Sequence, residues 1–290
     1  MKVILSRKGF DSKNGGVPSP IFPDGTLFSL PIPSSRGSRC FGDVDYRPHN
    51  LGRVVESLTN GKHQSVSSTH FDPDLSEKAL PRQPGWRPSL GQAGAALTHL
   101  HNKNVEVGDV FLFYGWFREA EWRGNGEYKY ASGGINRHII FGWLQVGEIL
   151  VVGSDGGAAV ASKPWLEKHP HVVGEWGKRN EIYIAKEILD LPLAGSAQTL
   201  AGGGTFDKVA LSRILTQPGQ GNRSLWALPS GFSPEHGRAR LSYNENPATW
   251  SKSDHHEKVL LDSAKIGQEF VLTVSEDKVM MDWLSGIFTF

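Results

Sequence analysis

The fold class this sequence predicts is mixed α+β: a β-rich single domain over residues 1–290 with a β-barrel-like core and flanking helices. Two apolar runs carry that expectation. Val110 to Trp116 and His138 to Val146 are dense in β-branched, aliphatic and aromatic residues and contain no proline, as buried strands do. Composition supplies the third observation. With 34 Gly, 17 Pro and nine Trp in 290 residues, the chain favours many turns between short strands over a helical bundle.

In chain order, Lys2 to Ser6 is a short apolar strand that runs into Arg7, Lys8, Asp11 and Ser12 in a glycine-rich loop. Pro18 to Pro33 is expected to be extended, proline-punctuated chain. Leu51 to Asn60 reads as a helix ended by Gly61. Asp72 before Pro73 fits a helix N-cap, which would account for Asp72 and Asp74 without chemistry and leave His70 unexplained. Gly91 to Leu100 reads as a helix with Gln92 near its start and His99 near its end. Arg118 to Arg137 is a polar insert between the two central strands, and Gly147 to Val152 starts a third. Glu181 to Leu189 begins as a strand. Gly202-Gly203-Gly204 is a sharp turn or a close backbone approach, since it lacks the P-loop Lys-Ser/Thr. Arg223 to Phe232 is a strand into a turn, Ser242 to His256 a polar loop, and Gly267 to Leu272 a last strand. An amphipathic helix around Asp277 to Leu284 ends the pattern.

Charge is balanced, 31 basic against 30 acidic residues, so no global field advertises a partner. One cysteine, Cys40, excludes a disulfide framework and a Cys-rich zinc site. No apolar run reaches about 18 residues, and Arg7 and Lys8 interrupt any leader pattern. The expectation is a cytoplasmic protein with no membrane partner. His169-Pro170-His171 has no third metal ligand near it in sequence. No metal and no cofactor are therefore expected. The nucleophile elbow, the His-Glu-x-x-His helix and the Walker loop are all missing.

What remains is carboxylates and cations in loops, interleaved with Tyr114, Trp116, Trp122, Tyr128 and Tyr130. Such an inventory suits cleavage of a sugar-to-base bond, where a fixed carboxylate stabilises a cationic sugar and aromatic rings stack an extruded base. It equally suits a non-catalytic pocket for a modified base.

SRKGFDS at 6–12, PSPIFPDGTLFSLPIP at 18–33, HFDPDL at 70–75, WRPSLGQAGAALTHL at 86–100 and GDVFLFYGWFR at 108–118 resemble the third nucleotide-modification-associated domain family. The resemblance covers essentially the whole chain. It implies action on hypermodified DNA. The activity it implies is an anti-phage DNA glycosylase that removes glucosylated hydroxymethylcytosine by base flipping and leaves abasic sites. Arg7, Lys8, Asp11 and Ser12 match the opening motif; His70, Asp72 and Asp74 match the second; Gln92, His99, Trp116 and Arg118 match the later ones. GDVFLFY with IIFGWLQVGEI is also similar to PUA-like barrel cores. The catalytic candidates are Asp11, Lys8, Asp72 and Asp74, with Asp11 first because capping accounts for the other two aspartates. Arg7, Ser12, His70, Gln92, Trp116, Arg118, Arg137 and His138 are candidates for contact with DNA carrying modified bases. The alternatives are a reader that binds without cutting, and an enzyme that installs or remodels a base modification.

Overall fold

The structure is a computed structural model that describes residues 1–37, 39–46, 49–153, 156–191, 199–234, 241–255, 257–265, 267–274 and 278–289. In chain order the first strands are β1 (Lys2–Arg7), β2 (Ser19–Ile21), β3 (Arg39–Cys40), β4 (Asp45–Tyr46), β5 (His49–Asn50), β6 (Ser68–Thr69), β7 (Ser89–Ala93) and β8 (Val110–Gly124). They are followed by β9 (Glu127–Tyr130), β10 (Arg137–Val151), β11 (Asn180–Ala185), β12 (Gly203–Thr205), β13 (Leu225–Pro229), β14 (Trp250–Lys252), β15 (Lys258–Asp262) and β16 (Glu269–Thr273). Helices α1 (Leu51–Leu58), α2 (Gly94–Asn102), α3 (Gly157–Ser162), α4 (Pro170–Val173) and α5 (Lys278–Ile287) flank them.

The main sheet runs β16-β1-β8-β10-β11-β7 and curls into a half-barrel, giving the α+β, strand-rich domain expected. β1 lies parallel to β8, with Val3 opposite Val110 and Arg7 opposite Tyr114, and antiparallel to β16. Both faces of the sheet are covered. Val3, Leu5, Leu112 and Tyr114 pack against Trp226, Phe270 and the Met280, Leu284 and Ile287 face of α5. Ile4, Phe111 and Phe113 pack against Leu97 and Leu100 of α2 and against Tyr183. Double-sided burial explains why these strands read as continuous apolar runs rather than alternating ones. Outside the sheet, α1 buries Leu51, Val54, Val55 and Leu58, the i, i+3, i+4, i+7 spacing of one helical face, and the Asn50 side chain caps it.

Several boundaries differ from expectation. The third central strand is the continuation of β10, which passes through a bulge at Gly147, where a Cβ would meet the Lys186 backbone nitrogen at 2.7 Å. The 118–137 insert is ordered at its root: β8 extends to Gly124 and turns back through β9. There Tyr128 N–H donates to Ser57 Oγ of α1 and Tyr130 Oη donates to the Pro18 carbonyl. Its tip is open, with Trp122 65% exposed, and so are Ser132, Gly133 and Ile135 on the return to β10. Gln92 lies on β7, not on a helix, because α2 starts at Gly94 in the left-handed region. The loop expected over Ser242 to His256 contains β14; His256 lies outside the described residues, as does Asp277 at the start of the terminal helix. The Gly202–Gly204 segment is a close approach, since a Cβ on Gly204 would sit 2.9 Å from the Trp143 ring.

His138 is core, not rim. Its backbone N–H donates to Thr216 Oγ1, and its Nδ1 accepts from Trp226 Nε1–H at 3.0 Å. Burial, and then the nearby Arg223 and Arg7 charges, push its pKa down from 6.5 to about 3. The unfolded chain binds this proton near 6.5 and the native chain only near 3, so stability falls as pH drops through that window, by about 1.4 kcal/mol per pH unit. Urea denaturation across pH 7 to 4 should show this slope. His138→Leu should reduce the slope by its own share, His169 and His171 keeping theirs, while lowering stability at pH 7 by about 1–3 kcal/mol, the cost of an unpaired Trp226 N–H. An unchanged slope in the variant would refute the assignment.

Candidate functional site: a cavity at the seam of the half-barrel

The two ends of the sheet order, β16 and β7, are joined through side chains rather than a strand ladder. Glu269, at the start of β16 opposite Ser6, is 1% exposed. Its Oε1 accepts from Lys8 Nζ at 3.0 Å and from Gln92 Nε2 of β7. Close by, His99 Nε2 on α2 meets Ser242 Oγ at 3.0 Å, and burial pushes the His99 pKa down. The seam therefore commits Lys8 and Gln92 to holding Glu269.

β1 ends at this seam and delivers the loop that follows. Gly9 takes φ +82°, and the loop is set by Asp11, whose Oδ1 accepts N–H bonds from Lys13 and Asn14, each at 2.7 Å. Arg7 reaches across to the Lys265 and Gly267 carbonyls. Ser12 Oγ accepts from Arg223, whose guanidinium lies 4.2 Å over the Trp116 ring. Burial and then the Arg7 charge push Arg223 down from its usual range, with Asp11 opposing. Among the described residues neither Arg7 nor Arg223 makes an ion pair, so two cations and one carboxylate gather at this rim.

The other wall comes from residues far apart in sequence. No helix starts at Asp72 or Asp74: residues 71–76 are irregular chain with a bend at Pro73 and Asp74 bridging to Ser89, and the short 3-10 turn at Glu77–Ala79 begins from Ser76, so capping does not explain either aspartate. Asp74 is locked to Arg82 by two hydrogen bonds of 2.6 Å and receives Trp86 Nε1–H, in a separate pocket. Asp72 is different. Its Oδ1 accepts Gly91 N–H at 2.7 Å and lies 3.5 Å from His169 Nε2, while its Oδ2 lies 3.7 Å from His70 Nε2. Burial alone pushes its carboxyl up; the His70, His171 and His169 rings outweigh this and hold it well below the usual carboxylate range. Burial pushes His169 down to about 3 and His171 to about 4, so at neutral pH a carboxylate sits among neutral imidazoles. The His169-Pro170-His171 stretch is not extended: His169 caps α4, its Nδ1 accepting His171 N–H. Residues of metal-ligating type, absent around it in sequence, come from the 70–72 loop, with His70, Asp72 and His171 placing candidate ligand atoms within 4.8 Å of one another.

Between these walls lies a cavity of about 240 Å³. Arg7, Lys8 and Asp11 line its outer part; His70, Asp72, Gln92 and His171 line its buried part; Trp176 forms a side, stacked on His171 at 4.2 Å and 5°. A larger opening of about 850 Å³ also touches Gly9 and Asp72 but is lined by no histidine. Of the sequence candidates, Ser12 and Trp116 border the mouth through Arg223, whereas Arg118, Arg137, His138 and Asp74 stand elsewhere. Arg118 donates to the Ala131 carbonyl, and Arg137 pairs with Glu119. Sequence reasoning missed Glu269, Trp176, Arg223 and Asn180. Nothing marks Glu269 in sequence except an acidic residue opening an apolar strand.

A family model described as nucleotide modification associated domain 3 matches residues 2–273. The chain belongs to that family. Membership in nucleotide modification associated domain 3 ties the chain to nucleic-acid bases that carry modifications. The match includes every residue of the seam and cavity, from Arg7 to Glu269. No curated protein and no solved structure matches the chain. Among the described residues no helix is long and apolar enough to cross a membrane.

Breaking the seam pair tests its structural weight. Glu269→Ala leaves Lys8 Nζ buried without its counter-charge and should cost about 3–5 kcal/mol. The double replacement Lys8→Met with Glu269→Leu should recover most of that loss. Urea denaturation of the three proteins measures it, and a single variant as stable as wild type would sink the argument.

Proposed function

We propose that the protein is a DNA glycosylase that excises a hypermodified cytosine, glucosylated hydroxymethylcytosine, from phage DNA and leaves an abasic site. The observation that supports this reading is the arrangement of one cavity by depth: an accessible carboxylate, Asp11, beside cations at the mouth, and a polar histidine–aspartate floor under an aromatic wall. A base taken out of the duplex enters such a cavity ring first, so its sugar stays at the mouth and its substituent reaches the floor. Trp176, stacked on His171 by one face, would stack the base on the other once the Arg36 guanidinium, 5.0 Å over the ring, swings aside. Arg7 and Arg223 lie where the flanking phosphates would pass.

In this reading water adds to the sugar carbon as the bond to the base nitrogen breaks, and the base leaves with a proton. Positive charge develops on the sugar, next to Asp11, whose second oxygen accepts, among the described residues, from the Asn14 side chain. Asp72 is too deep for the sugar and faces the hydroxyl-bearing substituent with His70 and His171. Lys8 is held by Glu269, whose bond from Gln92 spans the seam. The hairpin tip, with Trp122 and Arg123, adds a second contact to DNA, while its root packs on α1.

The experiment is incubation with modified and unmodified DNA followed by alkali. Alkali-labile breaks in modified DNA alone are the expected result. A reader is the second reading, favoured by the engagement of Asp11 Oδ1 with two backbone N–H groups; it predicts binding without breaks. A change in base mass without release would instead indicate remodelling of the modification.

Asp11→Asn should fold, bind modified DNA and lose excision by about 10²-fold or more. Wild-type excision by this variant would remove Asp11 from the chemistry. Replacing Trp122 and Arg123 together by Ala should weaken DNA binding with the melting temperature unchanged. Equal affinity would show that the tip is decoration.

A further inference from the structure

We propose that His70, Asp72 and His171 form a binding site for a divalent transition-metal ion at the floor of the cavity. Three observations beyond the cluster itself point there. The first is that each ligand is already aimed. Asn180 Nδ2 donates to the His171 and Gly153 carbonyls, so its Oδ1 must accept from His171 Nδ1–H at 2.7 Å. That hydrogen bond fixes the tautomer and leaves His171 Nε2 with a free lone pair, the arrangement in which a metal-binding imidazole is held by its other nitrogen. Asp72 is oriented in the same way, since Gly91 N–H donates to Oδ1, with the His169 ring 3.5 Å from that oxygen, and Oδ2 is left on the side of His70.

The second observation is an unmet demand. His70 is 8% exposed; its Nδ1 has no partner, and its Nε2 stands 3.7 Å from Asp72 Oδ2, beyond hydrogen-bond range. Two ligands of one tetrahedral zinc ion lie ~3.4 Å apart, so this spacing fits a bridging cation better than a direct bond. All three side chains are buried and their ligand atoms lie within 4.8 Å of one another, a separation that small side-chain rotations would close.

The third is access. The three residues line the 240 Å³ cavity, so an ion held by two imidazoles and one carboxylate keeps a coordination position open toward it. That donor set suits zinc and its first-row neighbours over calcium or magnesium. His169 is not a ligand in this arrangement: its Nδ1 accepts His171 N–H, and its Nε2 lies 3.5 Å from Asp72 Oδ1, the oxygen turned away from His70.

The test uses the full chain, stripped with chelator and dialysed, and titrated with Co²⁺ and then Zn²⁺ without DNA. We expect about one ion per chain, visible absorption bands of low-symmetry Co²⁺, and displacement of those bands by Zn²⁺. His171→Ala and His70→Gln should each weaken binding by at least about 100-fold, and the exposed His101→Ala should leave it unchanged. Co²⁺-shifted imidazole resonances of His70 and His171 in the wild-type protein read the same site should either variant fail to fold. No cobalt bands and no retained metal in the folded wild-type protein, or wild-type affinity in His171→Ala, would overturn the proposal. Because no DNA is present, this result is independent of the base-excision assay.

Discussion

Everything at the cavity depends on one buried carboxylate, Glu269, accepting from Lys8 on one side and Gln92 on the other. The sheet curls but does not close by backbone pairing, so its terminal strands β16 and β7 must be brought together by something else. The crossing contact is the Gln92–Glu269 hydrogen bond, and the Lys8–Glu269 ion pair holds that carboxylate from the end of β1, a costly device because desolvating two charges offsets most of their attraction. It is also a selective one. A charged oxygen accepting from two defined donors fixes the separation of the strands to a fraction of an ångström, which an apolar contact between the same edges would not. The cavity is the space left beside that contact. Its two walls, the β1 loop and the β7–α4 side, keep their spacing because the seam holds them.

The floor follows from a second electrostatic constraint. Three imidazoles and one carboxylate share a volume with little water, and they cannot all carry charge. Burial drives His169 and His171 neutral, while the Gly91 N–H donated to Asp72 favours its ionised form. The result is a carboxylate surrounded by groups able to donate or accept. Such a floor holds a cation or a hydroxyl-rich substituent with equal chemical logic, and the two are compatible, since a bound ion with an open position would itself ligate a hydroxyl oxygen.

Much of this was legible in the sequence. Val110 to Trp116 and His138 to Val146 are strands because aromatic and β-branched residues filled both faces of a buried sheet, a pattern that survives without structural knowledge. The opening loop was legible too, since charges directly after a buried strand have a fixed origin. Distance in sequence hid the rest. His171 showed no third ligand, because His70 and Asp72 come from a loop about a hundred residues away and meet it only when β7 pairs with β11 and α4 packs beside them. Asp72 looked like a cap because Asp before Pro has that local meaning. The local signal was real but tertiary burial decided the conformation. His138 looked like a rim residue because it opens an apolar run, yet the three-stranded sheet covers it with Trp226.

The depth of the cavity separates roles that the sequence left merged. A carboxylate that stabilises charge on a deoxyribose must stand where the DNA backbone passes, and the backbone cannot enter a space of about 240 Å³ walled by a seam and a tryptophan. In the proposed excision reading, Asp11 at the mouth is the candidate for that role, and Asp72 on the floor is not. Conversely, a group that distinguishes a modified base from a plain one must lie where only the substituent reaches, and there the ring of Trp176 and the His70–Asp72–His171 floor are the surfaces available. Arg7 and Arg223, without carboxylate partners among the described residues, complete the gradient: positive at the rim, negative at the floor. A polyanion is drawn to such a rim but kept out of the floor by the same field, so only the neutral base, and not its phosphates, is favoured inside.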